Sequence, residues 1–130
     1  MHKRFLTWGA LLAGLAVALG AFGAHGLKKL VPPETVATFE TGVKYQMYHA
    51  LALLLAGLIA ERLASVWLKR AAWCFLIGIL LFSGSLYLLT ALKATDSVGL
   101  GGLGIITPIG GVFFIAGWIS LAVGVRSLKV

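Results

Sequence analysis

Four apolar runs, each near twenty residues, constrain this chain more than anything else in it. They fall at Phe5–Leu27, Gly42–Ala60, Ala71–Leu92 and Ile105–Val125. A helix of ~20 apolar residues crosses the ~30 Å hydrocarbon core of a bilayer, and it satisfies its own backbone hydrogen bonds where no water can. With 60% hydrophobic and only 12% charged residues in a chain of 130, a soluble fold has no way to hide the apolar surface, because small domains bury only part of what their chains expose. The expected fold is an all-α membrane protein: one domain of four transmembrane helices over 5–27, 42–64, 71–92 and 105–125. Met1-His2-Lys3-Arg4 resembles the basic start of a secretory signal. The run behind it exceeds the 7–15 residues of a typical signal core, so it is read as the first helix.

Lysine and arginine in short loops set orientation. With four spans, the N-terminus, the middle loop and the C-terminus share a side that carries Lys3, Arg4, Arg62, Lys69, Arg70, Arg126 and Lys129. The other side carries Lys28, Lys29, Lys44 and Lys93 with Glu34, Glu40 and Asp96. Both termini are therefore expected in the cytoplasm. Trp8, Trp67, Trp73 and Trp118 then fall in the inner half, and Tyr45, Tyr48 and Tyr87 in the outer half, which suits aromatic rings at the headgroup boundaries.

Several function classes have no support in the residues. The net charge of +7 sits at the ends of apolar runs, as topology signals and contacts for anionic lipids, so no nucleic acid is expected. A single cysteine, Cys74, excludes an intrachain disulfide or a cysteine metal cluster. No histidine or acid pair has metal-ligand spacing, no nucleophile motif appears, and VGLGGLG near residue 100 lacks the strand and Lys-Ser/Thr of a phosphate loop. No catalytic residue, metal or cofactor is expected.

The informative stretch is FETGVKYQMYHALALL, Phe39–Leu54, where polar residues run straight into an apolar segment. Pro33 suits a helix first turn, with Glu34 near the positive end. A helix from Pro33 to Ala64 would be ~48 Å long at 1.5 Å per residue, more than the hydrocarbon core. Either it breaks near Gly42, leaving a short interfacial helix over 33–41, or it projects outside; a break or kink is the expectation. Gly42, Tyr45, His49, Ala52, Ala56 and Ala60 share one face, and Glu40 and Lys44 are spaced to pair at i, i+4.

Small residues mark contact faces. Ala16, Gly20 and Ala24 repeat at four, Gly14, Ala18, Ala21 and His25 share a face that should look inward, and Gly110, Gly117 and Gly124 recur at seven. These faces serve contacts within the chain or between copies of it, so a homo-oligomer joins membrane lipids as an expected partner. Thr107 and Pro108 read as the cap and first turn of the last helix.

Under this topology His25, Glu40, Lys44, Tyr45, Gln46, Tyr48, His49, Ser83, Ser85, Tyr87, Thr90 and Thr107 all fall in the outer half or at its interface. Polar groups in hydrocarbon need partners, so one shared network or outward-opening vestibule is expected. It would bind a small ligand, a lipid headgroup or a partner helix. The alternative is a small homo-oligomeric transporter with His49 and Glu40 in a proton or ion relay.

GAFGAHGL (Gly20–Leu27), FETGVKYQMYHALAL (Phe39–Leu53), LFSGSLYLL (Leu81–Leu89) and ITPIGG (Ile106–Gly111) resemble one small family. It is domain of unknown function 423, also called uncharacterised protein family 0382, of the bacterial inner membrane, whose eukaryotic relatives are called transmembrane protein 256. The resemblance spans nearly the whole chain. It implies four membrane helices and no established activity, and it maps the family's signature residues onto His25, Glu40, Tyr45, Gln46, His49, Ser83, Ser85, Thr107 and Pro108.

Overall fold

A computed structural model describes residues 2–95 and 102–129. Its elements are α1 (His2–Ala24), a 3-10 turn (Leu27–Lys29), α2 (Pro33–Arg62), α3 (Val66–Gly78), a π-helical segment (Ile79–Ser83), α4 (Gly84–Ala94) and α5 (Leu103–Arg126). The residues from Val66 to Ala94 run on as one span, so four helices are long and apolar enough to cross a membrane. The connection at 96–101, which holds Asp96 and most of the glycine-rich stretch, lies outside the described residues.

Local chemistry sets the boundaries. Pro32 is extended and Pro33 takes the first position of α2, where its missing N–H would have had no partner anyway. At the other end Leu63 turns extended. Ser65 then caps α3, its Oγ accepting from the Trp67 N–H at 3.2 Å.

The expected break in α2 does not occur. Gly42 is buried, and a Cβ there would lie 3.0 Å from the Tyr87 ring and 3.3 Å from Leu86 Cβ. The glycine admits the third span rather than hinging the second. The surplus length is absorbed at the far end, where Val36 and Phe39 pack with Leu27 and Val31 from the preceding turn. Pro33–Thr41 is thus the buried start of one continuous helix, not a separate interfacial one.

The α1–α2 contact uses a different face from the one expected. Phe5, Gly9, Ala16 and Gly23 are buried, with Gly9 against Leu54 and the Ala50 carbonyl, and Gly23 beneath the Phe39 ring. Gly9, Ala16 and Gly23 recur at seven, the period of a left-handed helix pair. Gly14, Ala18, Ala21 and His25 point outward, and a Cβ on Gly14 would meet nothing within 4 Å. Ala24 is exposed as well, while Ala16 is buried and Gly20 lies near Val43.

The α5 glycines do form a groove, and it is filled within the chain. Gly110, Gly117 and Gly124 are buried against Phe82, then Phe75 and Cys74, then Leu68 and Trp67. At Gly110 the neighbours are the backbone N and Cα of Phe82, inside the π-helical segment. α5 begins at Leu103, so Thr107 is not its cap and Pro108 lies inside the helix.

The start of α1, the α2–α3 connection and the end of α5 meet at one end of the bundle: Leu6 lies on Gly57 and Leu68 on Gly124. Seven cations, from Lys3 to Lys129, belong to this basic end. Beneath it Phe5, Ala52, Leu53, Ala56, Leu68, Ala71, Ala72 and Phe75 form an apolar core. Phe5, Trp8 and Trp73 meet edge to face with ring centroids 5.5–6.0 Å apart.

Candidate functional site

Halfway along the spans the packing changes from apolar to hydrogen-bonded. Gln46, on α2, is fully buried. Its Nε2 donates to the Leu12 carbonyl of α1 at 2.8 Å, and its Oε1 accepts from the Tyr87 hydroxyl of α4 at 2.6 Å. Ser83, also fully buried, donates to the Gly42 carbonyl at 2.6 Å. Together these bonds clasp three spans. A second clasp joins α4 to α5. Ser85 donates to its own Phe82 carbonyl at 2.8 Å, so the 2.5 Å bond to Thr107 is donated by the threonine. Thr90 bonds only its own Leu86 carbonyl, a local habit of helical threonine.

His49 lies one turn from Gln46 toward the basic end. Its Nδ1 is 2.7 Å from the Tyr45 carbonyl and its Nε2 is 3.1 Å from the Trp118 indole nitrogen. Indole N–H only donates. Nε2 therefore accepts, and Nδ1 carries the proton and donates to the carbonyl. The bond pattern assigns the neutral Nδ1–H tautomer, with both ring nitrogens engaged. Phe114 stacks on the imidazole with centroids 3.5 Å apart and planes 9° from parallel. Phe114 holds that position because its ring covers Gly78 of α3.

Beside this histidine is a cavity of about 390 Å³ lined by Tyr45, Tyr48, His49, Phe82, Gly111, Phe114, Ile115 and Trp118. Tyr48 is 54% and Ile115 62% exposed, so the cavity opens on the flank of the bundle, toward lipid, and not at its end. Tyr45 and Tyr48 meet edge to face at 5.9 Å. Among the described residues neither phenol hydroxyl has a hydrogen bond.

The expected single cluster is thus divided. Gln46, Ser83 and Tyr87 form one clasp, Ser85 and Thr107 another, and His49, Tyr45 and Tyr48 belong to the lateral cavity. His25 is exposed in the turn after α1 and joins none of them. Lys44 is exposed, Glu40 is half-buried, and the expected Glu40–Lys44 pair does not form; among the described residues there is no ion pair. No group of three potential metal ligands occurs among them either. The ring nitrogens of His49 bond a carbonyl and an indole, and Ser83 bonds a carbonyl, so Ser83 is not set against the imidazole.

Trp118, Phe114 and Phe82 complete the site and were not expected there. Trp118 reads as one of four interfacial tryptophans, yet its indole turns inward to His49. The available signal was the glycine repeat: Phe114 lies between Gly110 and Gly117 on the same buried face of α5, and Trp118 is one turn beyond it.

Comparison with known proteins agrees with this architecture. The model of the family described as protein of unknown function (DUF423) matches residues 19–111. The UPF0382 membrane protein YwdK of Bacillus subtilis is 45% identical over 122 residues, which is 93% of this chain and 94% of that protein. A UPF0382 membrane protein of Haemophilus influenzae is 46% identical over 95% of this chain and 94% of its own length. The UPF0382 inner membrane protein YgdD of Escherichia coli is 39% identical over 99% and 95%. No solved structure matches. A family model covering most of the chain, near full-length relatives and four membrane-length helices agree: the chain belongs to the DUF423 (UPF0382) family of membrane proteins.

Proposed function

We propose that this protein is a non-enzymatic binding protein of the bacterial inner membrane, with both termini in the cytoplasm. Its ligand is a membrane-dissolved molecule with a flat or chain-like apolar body, taken into the lateral cavity beside His49. The observation that carries this reading is the cavity itself: aromatic walls, a saturated imidazole floor, and two free phenol hydroxyls at a mouth facing lipid. Aromatic walls supply most of the contact area in such sites, and a few polar groups fix orientation. The relatives' printed names, membrane and inner membrane protein, support the location.

The hydrogen bonds on His49 favour binding over transport. A relay passes the proton between titratable groups or water, and the two ring nitrogens here bond a backbone carbonyl and an indole N–H. The apolar core from Ala52 to Ala60 and Leu68 to Phe75 lies between His49 and the basic end, where a polar path would have to run.

Gly111 provides the test. A Cβ there would meet only the Phe82 ring, at 4.0 Å, and Gly111 lines the cavity, so Gly111→Leu places its side chain in the space the ligand would take. Wild-type protein extracted in mild detergent should carry a co-purifying lipophile identifiable by mass spectrometry, and G111L should lose it. Equal amounts on both would end the proposal. A second reading, self-association through α1, draws on its exposure. Only 17% of its most apolar stretch is buried, against 44% for α2. Gly14→Leu should then shift the size of the purified particle.

A further inference from the structure

A second cavity, of about 450 Å³, lies at the basic end, between the start of α1 and the α2–α3 connection. Its depth is apolar, formed by Phe5, Ala56, Ala60 and Leu68, and its rim carries His2 and Lys69. The alanines matter because larger side chains would fill the slot they leave open. The His2 Nδ1 is buried and has no hydrogen-bond partner among the described residues. An apolar slot below a polar, cationic rim has the chemistry of a lipid with its head at the surface and a chain in the core.

We propose that this cavity binds one anionic phospholipid, with a chain in the alanine-lined slot and its phosphate at Lys69 and His2. Charge selects the occupant. Lys3, Arg4, Arg62, Lys69, Arg70, Arg126 and Lys129 belong to this end of the chain, against one acid, Glu61. Arg70 is held nearby with its guanidinium 4.9 Å from the Trp67 ring centre. Basic residues at a membrane surface attract anionic headgroups, and a pocket converts that diffuse attraction into a site. A zwitterionic lipid offers the same chain and a phosphate whose charge its own amine offsets.

Native mass spectrometry of the full chain, with phosphatidylglycerol and phosphatidylcholine of identical acyl chains, tests this. Phosphatidylglycerol should be retained at least tenfold better than phosphatidylcholine (order of magnitude, since each tenfold is 1.4 kcal/mol). Lys69→Gln should reduce that preference severalfold. Ala64→Trp, at an exposed position lining the cavity, leaves every charge in place and should abolish retention of both lipids. Equal retention of the two lipids by wild type, or unchanged retention by A64W, would overturn the proposal. So would thermal stabilisation by inorganic phosphate alone equal to that by phosphatidylglycerol, because the occupant would then be a free anion. Should A64W not yield folded protein, the K69Q preference decides.

Discussion

The two halves of the bundle hold together by different means. The half near the basic end is built by shape: alanines and glycines of α2 and α5 let Phe5, Leu68 and Phe75 sink between helices. The half beyond His49 is built by hydrogen bonds, through Gln46, Ser83, Tyr87, Ser85 and Thr107. In lipid there is no hydrophobic drive between helices, so close packing and interhelical hydrogen bonds are the available forces. One half uses the first and the other adds the second. His49 and Trp118 stand at the junction, and there the bundle opens to its flank.

The contrast is broken most severely at Gly110. Its missing side chain lets α5 touch the Phe82 backbone, and a backbone cannot turn aside as a side chain can. Gly110→Ala should destabilise the protein by about 3 kcal/mol, at the upper end for overpacking. Gly84→Ala, where a Cβ would meet nothing within 4 Å, should be neutral or slightly stabilising. Denaturation of both variants in lipid–detergent micelles checks the pair.

The hydrogen bonds themselves respond more mildly. Gln46→Leu removes the acceptor of the half-buried Tyr87 hydroxyl and loses the bond to α1, which should destabilise by about 1–2 kcal/mol. Adding Tyr87→Phe should recover part of this, because the stranded donor goes too; additive losses in the double variant would contradict the clasp. At the junction, His49→Leu should remove about 1 kcal/mol, within the range for membrane hydrogen bonds, and change Trp118 fluorescence. Weakest of all, Glu40→Gln and Lys44→Gln should each stay within about 0.5 kcal/mol of wild type, since neither has an ionic partner among the described residues.

These differences track what a sequence can display. Spans and the α5 groove are legible because apolar length marks a crossing and a seven-residue glycine repeat marks a close helix contact in lipid. The α1 contact is not, because Gly14, Ala18 and Ala21 are as small as Gly9, Ala16 and Gly23, and only the partner helix chooses between the two faces. The length of α2 misleads for a related reason: a corner packed on Val36 and Phe39 hides the surplus. Polarity likewise revealed that Gln46, Ser83 and His49 need partners but not which ones. Leu12 offers a carbonyl, invisible in residue type, and Trp118 resembles a headgroup anchor until its indole is seen bonded to His49.

Gln46, Ser83 and His49 are held by fixed partners within the bundle rather than set along a path. Nitrogen-15 solid-state NMR of histidine-labelled protein in bilayers reads it most directly at His49, assigned by comparison with His49→Leu. The expected spectrum shows a protonated Nδ1, an unprotonated Nε2 close to the Trp118 indole proton, and no exchange of the ring proton after transfer to heavy water. A ring protonated on both nitrogens, or one exchanging freely with water, would contradict it.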